Sequence, residues 1–251
     1  MSRYRFLLAA IVMSLMAQSA AYVPPRIAII IDDLGYQLAA GRRAIDLPGP
    51  LAFAVLPQTP RGELLATIAH DKGKEVLLHL PLEPVEYSGP AEPGGILLDM
   101  SRTTFRNTFA DAIESVPFAI GVSSHRGSLL TRHPGHMGWL MEEIRERDNL
   151  FFIDSYTTHE SVALKVAAEA GVAATKRDVF LDHDRSAGSL SHEFERLKEL
   201  ARKNGQAIGI GHPYPATLEF LEREIPNLEA EGFELVSISH MLFAHRGDEE
   251  N

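Results

Sequence analysis

The chain has 251 residues, 45% apolar and 23% charged, which suits a folded domain with a substantial core. It contains no cysteine, so thiolate metal sites, cysteine nucleophiles and disulfides are excluded. A formal charge of −10 disfavours nucleic acid and anionic lipid as partners, because phosphate binding needs clustered Lys and Arg.

The first residues form a unit of their own. Met1 to Arg5 is a short basic stretch, Phe6 to Ala17 is apolar, and Gln18-Ser19-Ala20-Ala21 ends in small residues. This layout predicts a secretory signal peptide at 1–21, too short and wrongly flanked for a stable membrane span. An uncleaved N-terminal anchor is the alternative, and either places the folded part in the periplasm or otherwise outside the cytoplasm. Arg3 and Arg5 are the only charges among the first 20 residues, so their removal leaves 22 basic against 34 acidic side chains. A neutral or cationic substrate fits that surface.

Residues 22–251 read as one domain. Strand-like runs are predicted near 26–31, 51–55, 75–79, 118–122, 150–153, 178–181, 207–211 and 234–236. Amphipathic helices are predicted over 59–72, 101–115, 137–147, 161–170, 189–204 and 216–231. Strand then helix, repeated, gives an α/β fold with a parallel sheet. A barrel is favoured over an open doubly wound sheet because chemically capable residues come from strands along the whole chain. The Pro- and Gly-dense stretch 81–98 is expected to be a loop over the rim, where it would shape access.

Five of the apolar runs end alike. Asp32-Asp33 closes the first, His79 the third, His125 the fourth, Asp154 the fifth, and His212 follows Ala-Ile-Gly-Ile-Gly. In parallel sheets such strand ends share one rim. Two adjacent carboxylates repel, so one could bind a cation while the other, with a raised pKa, takes a proton from water. The competing reading of Asp32-Asp33-Leu-Gly is a helix cap and turn. Two imidazoles with one carboxylate form the ligand set of an open catalytic zinc site. His212 suits a general acid for a departing amine, and Gly209 and Gly211 beside it would leave room for substrate or backbone. Asp154 and Arg177 could orient an acid or base or stabilise an oxyanion, or form a structural ion pair. His133-Pro-Gly-His136 has metal-ligand spacing but reads as a surface loop entering a helix at Met137.

The segments Ile-Ile-Ile-Asp-Asp-Leu-Gly, Leu-Leu-His-Leu-Pro-Leu-Glu-Pro, Gly-Val-Ser-Ser-His-Arg-Gly-Ser, Phe-Phe-Ile-Asp-Ser, Lys-Arg-Asp-Val-Phe-Leu-Asp and Ala-Ile-Gly-Ile-Gly-His-Pro-Tyr-Pro, in this order, resemble the divergent polysaccharide deacetylase family. That family is similar to the carbohydrate esterases with a NodB-type domain. The resemblance runs from about Arg26 to Leu242. It implies a distorted (β/α) barrel of about seven strands with a divalent metal, zinc by preference, at its C-terminal rim. It further implies Asp32 as base, Asp33, His79 and His125 as metal ligands, Asp154 and Arg177 tuning the base, and His212 as acid. The implied reaction is removal of acetyl groups from an envelope polysaccharide. The alternative is a catalytically silent barrel that binds glycan or an envelope protein. Two departures stand out. Ordinary deacetylases draw both metal histidines from one His-x-x-x-His segment, absent here, and Ser123-Ser124-His125-Arg126-Gly127 stands where the divergent family has Asn-Asn-His-Met-Gly. One Trp, Trp139, and six Tyr offer no evident row of sugar-stacking aromatics.

Overall fold

The run Ile27–Ile31 is wholly buried on both faces, which only a sheet covered on each side allows. The computed structural model describes residues 23–86, 89–147 and 150–243; the expected signal peptide lies outside them. The run belongs to β1 (Arg26–Leu34). There follow α1 (Leu38–Ile45), β2 (Ala52–Val55), α2 (Gly62–Asp71), β3 (Glu75–Leu82), α3 (Arg102–Glu114), β4 (Ala119–Arg126) and α4 (Pro134–Arg145). After these come β5 (Phe151–Asp154), α5 (Ala163–Ala170), β6 (Ala174–Lys176), β7 (Val179–Phe180), α6 (Ala187–Asn204), β8 (Gln206–Gly211), α7 (Pro215–Glu224), β9 (Glu234–Leu235) and α8 (Ile238–Phe243).

The strands pair in parallel in the order β6-β5-β4-β3-β2-β1-β8-β7, and β9 pairs with the first residues of β1. The two edge strands are separated only by Arg177 and Asp178. The Arg177 amide donates to Asp154 on the β5 side, and the Asp178 amide donates to Ile208 on the β8 side. One short segment thus bridges both edges and closes a distorted barrel. The expected architecture holds, although β6, α1 and α8 were not foreseen.

Side chains alternate along these strands. Ile27, Ile29, Ile31, Phe53, Val55, Val76, Leu78, Val122 and Phe152 join the helices in the larger core. Ala28, Ile30, Ala52, Leu77, Phe151, Ile153 and Ile210 fill the barrel interior with Met241 of α8. At the N-terminal end α8 plugs the barrel, its first amide received by the Glu75 carboxylate at 2.9 Å. Beneath the rim, Gly121 faces the ring of the buried Phe151 across β4 and β5; a β-carbon on Gly121 would stand 2.5 Å from that ring. Gly121→Ala is therefore expected to lower stability by about 1–3 kcal/mol through overpacking. A lower denaturant midpoint at unchanged slope would show this, and an unshifted midpoint would contradict it.

Candidate metal centre

Interior alternation fixes what reaches the rim. Residues 28 and 30 of β1 point into the barrel, and so does Asp32. A regular strand would send Asp33 the opposite way. Instead Asp33 has φ of +60°, and the pairing of β1 with β2 slips between Ile31 and Leu34, so the strand carries one extra residue. This bulge in left-handed backbone, a conformation Asp tolerates better than most residues, brings both carboxylates to the same place. Arg126 and Tyr156, at the ends of β4 and β5, have φ of +56° and +51°, so irregular backbone clusters along this rim.

His79 shares the interior parity of Leu77, and His125 that of Ser123. β3 runs on past β2 through Pro81, whose missing N–H is harmless because β2 has already ended at Val55. Beyond that point Ile96, in the loop after β3, takes the vacated edge, its amide donating to Pro81 at 2.8 Å. These geometries converge. Asp33 Oδ1 lies 3.0 Å from His125 Nδ1 and 3.3 Å from His79 Nε2, and the two imidazole nitrogens are 3.1 Å apart. Asp32 Oδ2 stands 3.5 Å from His79 Nε2, and His212 Nε2 is 3.7 Å from Asp33 Oδ2.

Each imidazole is oriented from its far side. His79 Nδ1 meets Ser123 Oγ at 2.8 Å, which leaves Nε2 free for the cluster. His125 Nε2 lies 3.3 Å from Glu92, a residue of the rim loop, whose other oxygen pairs with Arg126 at 2.9 Å. His212 Nδ1 meets Asp182 at 2.9 Å, and Asp182 also accepts the His212 amide and the Thr217 hydroxyl.

The donor set fits a cation. Asp33, His79 and His125 each bring one ligand atom to within 4.8 Å of the others. Donors bound at roughly 2.1 Å to one tetrahedral ion would stand roughly 3.4 Å apart, close to these separations. Oδ1 of Asp32 and Oδ1 of Asp33 are buried and accept no aligned hydrogen bond, an arrangement that is costly without a further positive partner.

Charge separates the two carboxylates. Burial pushes the Asp32 carboxyl up, only partly offset by His79 and His212. Burial acts the same way on Asp33, but the imidazoles of His125 and His79 outweigh it and hold that group well below the usual carboxylate range. Burial would lower His79, yet Asp32 and Asp33 raise it. His212 is likewise opposed by burial but pushed up to about 8, chiefly by Asp182. One ionised carboxylate and one reluctant to ionise therefore share the site.

The structure thus brings Asp32, Asp33, His79, His125 and His212 together. It does not bring Asp154 with them. Asp154 has the parity of Phe152, facing the helices, and accepts hydrogen bonds from the Ser161 hydroxyl at 2.6 Å, the Tyr156 amide at 2.9 Å and the Ser124 hydroxyl at 3.4 Å. Arg177 is held by the carbonyls of Ser155 at 2.7 Å and Tyr156 at 3.1 Å. Burial lowers its pKa, with the Asp32 charge the largest opposing influence. Gly209 and Gly211 do not face substrate: a β-carbon on Gly209 would meet Leu197 and Leu181, and one on Gly211 would crowd Thr217 and Asp182. His136 is buried in the first turn of α4 with His133 as its cap, so that pair starts the helix at Pro134 instead of preceding it as a surface loop.

Asp182 and Glu92 were missed by sequence reasoning. Asp182 follows Val-Phe-Leu and repeats the apolar-run-to-acid pattern, a usable signal. Glu92, in irregular chain, gave none. A cleft of about 240 Å³ opens from Asp33 and His212, flanked by Tyr36 and Tyr214, 56% and 37% exposed. The aromatics absent from any sequence row are thus gathered by the fold. A larger cleft of about 600 Å³ lies at the opposite end of the barrel, lined mainly by Pro and apolar residues, and holds no cluster of reactive groups.

Residues 29–242 match the family described as divergent polysaccharide deacetylase. The chain belongs to that family. It is 36% identical over 229 residues to the uncharacterized protein YibQ of Escherichia coli K12, covering 91% of this chain and 71% of YibQ. Among solved structures, the uncharacterized protein ATU2773 of Agrobacterium tumefaciens C58 superimposes with a TM-score of 0.83 at 23% identity, covering 88% of this chain and 91% of that one. The catalytic domain of a peptidoglycan N-acetylglucosamine deacetylase from Eubacterium rectale gives a TM-score of 0.55 at 14% identity, covering 86% and 89%. The barrel is therefore that of the NodB-type carbohydrate esterases. Likeness at these identities concerns the fold; the chemistry must be argued from the site.

Proposed function

We propose that this protein is a divalent-metal-dependent hydrolase that removes acetyl groups, as amide or ester, from an envelope glycan. The observation that carries the reading is the convergence of Asp33, His79 and His125 beside the unsatisfied oxygen of Asp32, with His212 on the other side. Asp33 Oδ1, His79 Nε2 and His125 Nδ1 would hold the ion. When bound, a divalent ion such as zinc would polarise the acetyl carbonyl and lower the pKa of water.

The chain's own residues supply the rest. Asp32, whose pKa burial raises, accepts the proton of the attacking water through Oδ1. Arg177, whose charge faces Asp32, moderates that basicity. His212, held protonated by Asp182, donates from Nε2 to the departing amine. Tyr36 and Tyr214 offer ring faces to the sugar at the mouth of the cleft. Export is supported by the residue pattern of the first 21 positions, and among the described residues no helix is long and apolar enough to cross a membrane. N-terminal sequencing of the protein recovered from the periplasm would show a start near residue 22 if that pattern is a cleaved signal.

The direct test is elemental analysis of purified protein, followed by acetate release from acetylated glycans with and without chelator. Stoichiometric metal and chelator-sensitive acetate release are expected. Unchanged turnover after complete metal removal would overturn the scheme, and glycan binding without any acetate release would favour a silent binding barrel. Glu92 provides a subtler check. A carboxylate on the far nitrogen of a metal-binding imidazole fixes its tautomer and raises its basicity. Glu92→Gln is expected to weaken metal affinity about tenfold or more with the fold intact, as read by competition against a chromogenic chelator.

A further inference from the structure

A second cleft, of about 550 Å³, adjoins the candidate centre across the seam where β6 passes into β7, and α6 forms its far wall. Its lining includes Lys176, Arg177, Arg196 and the rings of Tyr156 and Phe180. Phe180 joins the two sites: its ring lies 5.2 Å from that of His212 on one side, and the Arg177 guanidinium lies 4.9 Å from its centroid on the other.

Three cations line one cleft in a chain whose formal charge is −10. Two acids also line it, and each has a partner. Asp178 accepts the Ile208 amide at 2.8 Å, tying the seam to β8, and Glu193 pairs with Arg196 at 3.0 Å. Lys176 pairs with no carboxylate among the described residues; its ammonium stands 4.0 Å from the centroid of the Tyr156 ring. Arg177 is anchored through Nε and Nη2 to the carbonyls of Ser155 and Tyr156, and the Asp32 charge acts on it from the side of the candidate centre, so it walls the cleft without offering a free charge. A half-buried lysine beside an aromatic face, next to a site read as glycan-cleaving, has no carboxylate partner among the described residues, and the exposed Arg196 lines the same cleft with its one ion pair to Glu193. They match a ligand with an acidic substituent and a sugar face.

We infer that this cleft is a subsite for an anionic group, a carboxylate or a phosphate ester, on a sugar flanking the acetylated one. The inference rests on the hydrolase reading above and narrows its substrate to an acidic glycan. Tyr36 and Tyr214 then border the acetylated sugar on the β1 and β8 side, while Lys176 and Arg196 hold the charged neighbour on the β6 and α6 side.

Three probes test it with the metal-loaded protein: a neutral N-acetylated trisaccharide, the same trisaccharide with one carboxylate on a flanking sugar, and the same with one phosphate there. Calorimetry is expected to show at least one charged probe binding about tenfold more tightly than the neutral one, as a charged hydrogen bond supplies. That preference should shrink between low and high salt. Lys176→Met keeps the aliphatic stem over Tyr156, and paired with Arg196→Gln it should abolish the preference while leaving neutral-probe affinity and metal content unchanged. Preference for only one charged probe identifies carboxylate or phosphate as the group recognised. Equal affinity for all three, or a preference that survives in the double variant, overturns the subsite. Acetate release without charge preference overturns the subsite and leaves the hydrolase reading standing. Charge-dependent binding with no acetate release from any probe does the reverse.

Discussion

Replacing Asp33 by Ala is expected to leave a folded protein that retains no divalent ion through dialysis and releases no acetate. Two effects of this residue must be separated. Asp33 supplies the ionised oxygen nearest both imidazole nitrogens, and it also occupies left-handed backbone at φ of +60°. Alanine tolerates that conformation less well than aspartate, by about 1 kcal/mol, so a small loss of stability is expected whatever the metal does. Asparagine tolerates it as well as aspartate does. Asp33→Asn therefore keeps the bulge and removes only the charge. It should weaken metal binding by about two orders of magnitude or more, since a neutral amide replaces the one strongly ionised ligand. Thermal denaturation gives an independent reading. An ion at a thousandfold excess over its Kd stabilises the wild type by about 4 kcal/mol, and that gain should vanish in both variants. A metal-dependent rise in Tm that persists in Asp33→Ala would place the cation elsewhere.

The site was legible in the sequence to the extent that a buried parallel strand is. Asp32, Asp33, His79, His125 and His212 each end or follow an apolar run, and a parallel sheet sends such ends to one rim. What the sequence could not convey is which face each end presents. Strands buried on both sides read as unbroken apolar runs, so parity carries no hydropathy signal. Asp154 looks like the others in sequence, yet Phe152 and Asp154 face the helices while Phe151 and Ile153 face the interior. The convergence of Asp32 and Asp33 was hidden for a related reason: alternation separates neighbours, and only the bulge at φ of +60° reunites them. Short elements escaped because they leave too few residues to show a period. β6 has three residues, and α1 has eight with no side-chain cap at Gln37. Glu92 depends on the path of an irregular loop, and Tyr36 and Tyr214 are distant in sequence, so neither grouping leaves a local trace.

In the proposed scheme, His212 separates leaving-group chemistry from metal binding. It lies 3.7 Å from Asp33 but takes its orientation from Asp182, so His212→Gln should retain the ion and slow amide hydrolysis by about 10²–10⁴-fold. An amine must be protonated as it departs, whereas an activated aryl acetate leaves as a stable anion. The same variant should therefore hydrolyse aryl acetate at close to the wild-type rate. Equal losses on both substrates would show that His212 positions the site without donating a proton. Asp182→Asn adds a pH signature with a defined sign. Burial opposes protonation of His212, and Asp182 is the chief group that raises it to about 8. Without that carboxylate the pKa falls, and the donor form is lost at a lower pH. The alkaline limb of the pH–rate profile should move down relative to wild type while the acid limb, which the proposed scheme assigns to Asp32, stays in place. A profile that only scales in height would leave His212 without a role in proton transfer, and the acid would have to be sought among the other groups at the rim.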